Sequence, residues 1–309
     1  ALPEIVAQME RAQDQVIRAA PQGSMLVSGP AGSGKTTLAL HRVAFLAQSP
    51  DTAARFPAER MMVFVQDQGT QAYFSQLLPR LGIHHVEITT FDQWAMKLLE
   101  LEGYSFVVRP GNSEEQRDVY EDRKRTRLKN LPGMKWGKNI FEMLRQVYLQ
   151  EEDTLFQDVF ERQAKDRTLD RFDLTILLTL FRAYHGPFTR EVTLHDQLKS
   201  GKWKKRIVHD PIEYPLMLLD EVQNYLPEQI QILKGCIDPT TNAMLYVGDL
   251  AQQTKLGTLK SWSEVGESFE EDRAVLLQKV YRNTRQILEY IARQGYTVSI
   301  PTEVRDGNE

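Results

Sequence analysis

Residues Gly29, Pro30, Ala31, Gly32, Ser33, Gly34, Lys35 and Thr36 follow an apolar run at 25–27 and precede a helical pattern that begins near Thr37. Few chain paths accept that order. The spacing G-x-x-x-x-G-K-[ST] needs a strand, a tight glycine turn and a helix N-terminus, so that successive backbone N–H groups converge on phosphate oxygens. On this reading Gly29, Gly32, Ser33 and Gly34 form the cradle. Lys35 reaches the β and γ phosphates, Thr36 ligates Mg²⁺, and Thr37 stands beside them in the first helical turn. The expected ligands are ATP and Mg²⁺.

Further short apolar runs lie at 61–65, 86–88, 216–219 and 243–247, each followed by a turn and a helical pattern. Such alternation predicts an α/β fold in which helices cover both faces of a parallel sheet. Between 103 and 210 the rhythm changes to long polar helical stretches. This predicts a discontinuous α/β domain, 1–104 and 211–309, carrying a mostly helical insertion at 105–210. With 309 residues, 41% of them apolar, the chain can bury a full core. The longest apolar run, near 176–181, is far too short to span a bilayer, and the first ten residues lack a basic segment followed by an apolar one. The single cysteine, Cys236, excludes an intrachain disulfide and suits a reducing cytoplasm. It reads most simply as a small buried residue. A net charge of −4 means that any attraction to nucleic acid must be local.

The run at 216–219 delivers Asp220 and Glu221 at its C-terminal end, where open α/β sheets bind their ligands. Asp220 can hold Mg²⁺ through water, and Glu221 can take the proton from an attacking water. Phosphoryl transfer depends chiefly on positioning and charge stabilisation, which is what a metal ligand, a water-orienting carboxylate and a cation supply. After the run at 243–247, Gln252 stands where an uncharged amide can sense a γ-phosphate, although an ordinary loop reads the same way. Tyr281 and Arg282 open another helical pattern, and a guanidinium there can stabilise charge on the γ-phosphate.

The order of these segments, with Asp220-Glu221-Val222-Gln223 as the second, resembles superfamily 1 helicases of the UvrD, Rep and PcrA group. The resemblance covers roughly 10–50, 60–100 and 214–295, and implies a P-loop, RecA-like domain of a DNA helicase or translocase. It implies that Gln13, sixteen residues before Gly29, reads adenine, with Gln15 the alternative. It further implies that Tyr281 stacks on adenine and that Arg282 contacts the γ-phosphate. Gln223 and Gln252 would connect that phosphate to the nucleic-acid track. Thr90 and Phe91, in Thr89-Thr90-Phe91-Asp92, look like the group's Thr-Phe-His segment, which touches single-stranded DNA. Other stretches, among them Gln13-Asp14-Gln15-Val16-Ile17-Arg18 and Ala39-Leu40-His41-Arg42-Val43-Ala44, are similar to the HelD branch associated with bacterial RNA polymerase. Asn224, Asp92 and Lys255 depart from the UvrD pattern, mostly on its DNA side. Nothing after about 300 matches a second RecA-like domain, so the chain is expected to be one half of a motor and weakly active alone.

Two basic clusters each enclose a tryptophan. Residues 123–138 hold seven basic residues and no acid around Trp136, and residues 199–206 hold five basic residues around Trp203. Cations that meet phosphates beside a ring that stacks on a base are the usual means of gripping a single strand. A solvated charged face or a protein-binding surface fits equally. The acids at 114–122 can pair with the first cluster. His84-His85 lacks companions at ligand spacing and reads as structural, and Ile176, Leu177, Leu180 and Phe181 read as core packing.

Overall fold

The computed structural model describes residues 11, 13–148, 153–197, 201–252 and 255–277. Its centre is a six-stranded, wholly parallel sheet. The strands are β1 (Met25–Ser28), β2 (Met62–Val65), β3 (Glu87–Thr90), β8 (Leu216–Leu219), β9 (Ala243–Val247) and β10 (Ala274–Leu276). They lie in the order β10-β1-β9-β8-β2-β3. Five of them coincide with the apolar runs, and β2, β8 and β9 are buried along their whole length, as expected where helices cover both faces.

Strand alternation divides these residues between two cores. Val63, Val65, Leu218 and Leu245 point to one face and pack with Val27, Leu40 and Val43. The last two belong to α1 (Lys35–Gln48), which runs back along the sheet from the glycine loop beside α2 (Gln68–Arg80). Met62, Phe64, Met217, Leu219 and Tyr246 point to the other face. There they meet α3 (Phe91–Leu98), α7 (Arg171–His185) and α8 (Pro227–Lys234), with α4 (Glu114–Lys129), α5 (Ile140–Val147) and α6 (Thr154–Asp166) packed on the same core. Ile176, Leu177 and Leu180 belong to this cluster. Segment 105–210 therefore shares its core with the sheet.

That segment is not helical throughout. β4 (Ser105–Phe106) and β5 (Thr168–Leu169) form a short parallel pair, and β6 (Thr189–Gln197) and β7 (Trp203–Pro211) form an antiparallel ribbon of nine residues a side. The ribbon's polar, mostly exposed residues carry little apolar alternation, which is why periodicity alone did not reveal it.

The inserted helices are fastened by a buried cation. Lys124 in α4 is fully buried; its Nζ donates to Asp170 at 2.8 Å, to both Asp173 oxygens at 2.7 Å, and to Gln163 of α6 at 2.9 Å. Asp170 is also the N-cap of α7, accepting from the backbone of Phe172 and Asp173, and Tyr148 donates to Asp173 at 2.7 Å. Burial and the neighbouring Asp170 push the Asp173 carboxyl up to about 6, and Lys124 opposes the rise. Removing one partner of such a cluster strands the others without water. Lys124→Ala is therefore expected to lower the unfolding free energy by about 3–5 kcal/mol, seen as a lower urea midpoint at nearly constant slope. A midpoint equal to the parent's would show that the cluster adds no net stability.

Candidate functional site

The strand order brings the motifs together. β9 pairs with β1 on one side and β8 on the other, so the loops after Ser28, Leu219 and Val247 leave neighbouring strands at one end of the sheet. At Gly29 φ is 153°, and an added Cβ would stand 2.5 Å from the carbonyl oxygen of Leu277. Gly34, at φ 82°, is the left-handed N-cap of α1.

Lys35 is 5% exposed, yet its ammonium donates only to the Pro30 carbonyl, at 3.4 Å, and pairs with no carboxylate among the described residues. The buried Ser33 hydroxyl has no hydrogen-bond partner among the described residues. A buried cation without a counterion and a buried donor without an acceptor suit a polyphosphate at a helix N-terminus. Thr36 donates through Oγ1 to Asp220 at 2.9 Å, so the two expected metal ligands face each other across the sheet end. Burial pushes the Asp220 carboxyl up to about 6; Glu221 adds to the rise, while the Thr36 hydroxyl and Lys35 oppose it. This donor set, a hydroxyl beside a carboxylate short of positive charge, fits Mg²⁺. Thr37, the third residue of α1, is exposed.

Beyond Asp220 a chain of contacts leads away from the loop. Glu221 adopts a left-handed backbone at φ 50°, unusual for a side-chain-bearing residue and a form of strain found at working sites. Its carboxylate accepts from the Gln223 amide; Gln223 accepts from the Asp249 N–H at 3.2 Å, and Asp249 accepts from the Gln252 amide at 3.0 Å. Gly248 permits this closeness, because a Cβ there would lie 2.2 Å from the Gln223 oxygen. Gln223 and Gln252 thus join the Glu221 carboxylate to the loop after β9.

The sequence model of the AAA_19 family, described as an AAA domain, matches residues 13–258, most of the chain. The chain belongs to this family. Its P-loop NTPase domain is one found in UvrD- and Rep-like helicases, so the broad superfamily 1 resemblance holds. No curated protein matches the chain. Within this AAA domain no described helix is long and apolar enough to cross a membrane.

Arg42 and Arg273 organise the approach to the P-loop, and the sequence reading assigned neither. Residues 13–18 are helical. Arg42, from α1, is 2% exposed and donates to the carbonyls of Val16, Ile17, Ala19 and Ala20, while Arg273 donates to those of Ala20, Gln22, Gly23 and Ser24. A guanidinium at a helix C-terminus satisfies orphan carbonyls and favours the dipole. Burial, with Arg273 nearby, lowers the Arg42 value to about 10. Its signal was present: Arg42 falls on the buried face of α1, four residues from Leu38 and from Leu46. Gln13 is exposed, and Gln15 donates weakly to the Asp272 carbonyl at 3.5 Å.

A cavity of about 230 Å³ opens beside Asn224, bounded by Phe91, Asp92, Arg109, Arg171 and Lys255. Arg171 donates to the Leu256 carbonyl at 2.8 Å and pairs with Glu121, while its buried Nη1 lacks a partner among the described residues. Phe91 lines this cavity although it is mostly buried against Trp94, and Thr90 is buried as the N-cap of α3.

Two expectations about the basic clusters change. Trp136 does not stand ready to stack on a base: its ring packs edge-on against Phe181 at 5.0 Å and against His185 of α7 at 6.3 Å. Nor do residues 123–138 form one basic face, since Lys124 lies in the core. Of the acids at 114–122, Glu114, Asp118 and Glu121 pair with Arg109, Arg117 and Arg171. Trp203, by contrast, is 65% exposed. Tyr281 and Arg282 lie outside the described residues.

Because the folded value of Asp220 is raised, protonation stabilises the metal-free fold, and stability is lost as pH climbs from 3.8 to about 6. Asp220→Asn removes that cost. Without Mg²⁺ at neutral pH the variant is expected to be more stable than the parent by up to roughly 3 kcal/mol, with a flatter pH profile. It should lose stabilisation by Mg²⁺-nucleotide. Thermal melts across pH, with and without both ligands, check this, and a variant less stable than the metal-free parent would contradict it.

Proposed function

We propose that this AAA domain is the ATP-hydrolysing half of a motor that moves on single-stranded DNA. The observation that carries the reading is the hydrogen-bonded path from Glu221, the neighbour of Asp220, through Gln223 and Asp249 to Gln252, with Asn224, next to Gln223 in the chain, lining the cavity that Lys255 borders. Lys35 and the loop N–H groups hold the β and γ phosphates and offset charge as the terminal bond breaks. Thr36 and Asp220 would hold Mg²⁺, which when bound neutralises phosphate charge. Glu221 orients the attacking water and accepts its proton. Gln223, bonded to that carboxylate, feels any change in its position and passes it to the loop after β9.

The family resemblance adds Gln13 and Tyr281 as adenine contacts, Arg282 as a γ-phosphate contact, and a second RecA-like domain whose closure would complete the site. Phe91 and the cavity floor supply the DNA side. A second reading, a nucleotide-gated protein of the HelD type that binds RNA polymerase and unwinds little, draws support from Asp92, Asp118 and Glu121. Their carboxylates line the same cavity, where Asp118 and Glu121 hold Arg109 and Arg171 and so offset the cations that a phosphate would need.

ATP turnover of the intact protein, with and without single-stranded DNA at low and moderate salt, tests the motor reading. Stimulation by DNA that fades with salt is expected. Glu221→Gln should lower kcat at least about a hundredfold while ATP still binds. Gln223→Ala should keep most basal turnover and lose the stimulation. Turnover indifferent to DNA would sink the translocase and favour the polymerase-binding reading, which requires nucleotide-dependent capture of RNA polymerase.

A further inference from the structure

The ribbon of β6 and β7 is built unlike the rest of the molecule. Nine residues a side at about 3.3 Å each give an arm roughly 30 Å long, and all but Val192 and Val208 of its strand residues are exposed. Its base is tied to the fold: Ile212 donates to the Phe188 carbonyl at 2.8 Å, and the Phe188 ring lies 6.1 Å from Trp94. Toward the far end the two faces differ. The register sets Trp203, Lys205 and Ile207 opposite Gln197, His195 and Thr193, all on one face. On the other face Asp196, the acid of the distal half, is held by Arg206 at 2.8 Å. The first face therefore offers an indole 65% exposed, an isoleucine 53% exposed and a lysine; its acid, Glu191, stands opposite His209 nearer the base, and Lys202 adjoins Trp203 in the chain.

Lysines alone on a free ribbon are explained by the need to block edge-to-edge pairing. That need does not explain an exposed indole paired with a glutamine at the far end, where it meets no other ring among the described residues. An aromatic ring between cations is instead what a nucleic-acid strand requires: every base has a face to stack, and every linkage has a phosphate. The chain's overall charge of −4 makes the contrast sharper, since this arm concentrates positive charge on a protein that otherwise repels a polyanion.

We propose that the distal face of the ribbon is a nucleic-acid contact, with Trp203 stacking on a base while Lys202 and Lys205 meet the flanking phosphates. The proposal rests on the motor reading above and adds to it a grip by residues that do not line the cavity.

The test is the anisotropy of a short fluorescent oligodeoxythymidine titrated with the intact protein over a range of salt. Trp203→Ala should weaken binding roughly tenfold, with Trp203→Phe restoring most of it. Joint replacement of Lys202 and Lys205 by Gln should lower the salt slope by about 1.4, two phosphate contacts on a single strand. Stabilisation by Mg²⁺-ATP should be unchanged in all three, showing that the phosphate loop is intact. If the parent binds in a salt-dependent way and Trp203→Ala binds equally well, the ribbon proposal is overturned while the motor reading stands. If the parent does not bind, both fall. If the variants keep oligonucleotide affinity but lose RNA polymerase, the proposal is likewise overturned and the arm docks protein.

Discussion

Backbone pairing of β9 with β1 on one edge and β8 on the other governs everything at the nucleotide site. Loops that leave neighbouring parallel strands at the same end lie within a strand spacing or two of each other, about 5–10 Å. That proximity lets Thr36 reach Asp220, and lets the Gln223 side chain reach the backbone of Asp249. Were β9 to pair elsewhere, the same motifs would be present in the chain and too far apart to touch. The glycines at 29 and 248 serve the same end, each removing a side chain where another chain segment comes within van der Waals distance.

Charge burial follows a consistent division of labour. Lys124 and its aspartates are satisfied among themselves and hold helices together. Arg42 is satisfied by four carbonyls and ties the leading helix to the P-loop helix. Lys35, Ser33 and Asp220 are left short of partners at the one place where a phosphate and a divalent cation would complete them. A buried charge without compensation costs stability, so a fold keeps one only where binding returns it. Structural and working groups separate on that basis, although all are equally hidden from water.

The phosphate loop and the Asp220-Glu221 pair were legible because each is a contiguous run whose chemistry depends on local geometry: a strand, a turn, and side chains at its end. Five sheet strands were legible for a related reason. A strand buried on both faces writes itself as an unbroken apolar run, as 216–219 and 243–247 do. The ribbon was not, because a strand exposed on both faces has no hydrophobic period to read. Trp136 and Trp203 show the same limit from the side-chain end. Their flanking sequences are similarly basic, yet one ring meets Phe181 and the other meets solvent.

By itself, then, the sequence determined which groups this chain carries for a nucleotide: a glycine loop suited to phosphate, a hydroxyl and a carboxylate suited to a divalent cation, and a second carboxylate beside them, each encoded within a few neighbouring residues. Only the tertiary structure decided which distant residues serve one another, such as Arg42 with the carbonyls ahead of the P-loop, Lys124 with Asp170 and Asp173, and Gln223 with Asp249. The reason is physical. A local motif needs only the backbone geometry that its own residues favour, whereas a buried polar group finds its partner wherever packing brings one, and packing is settled by the whole core at once.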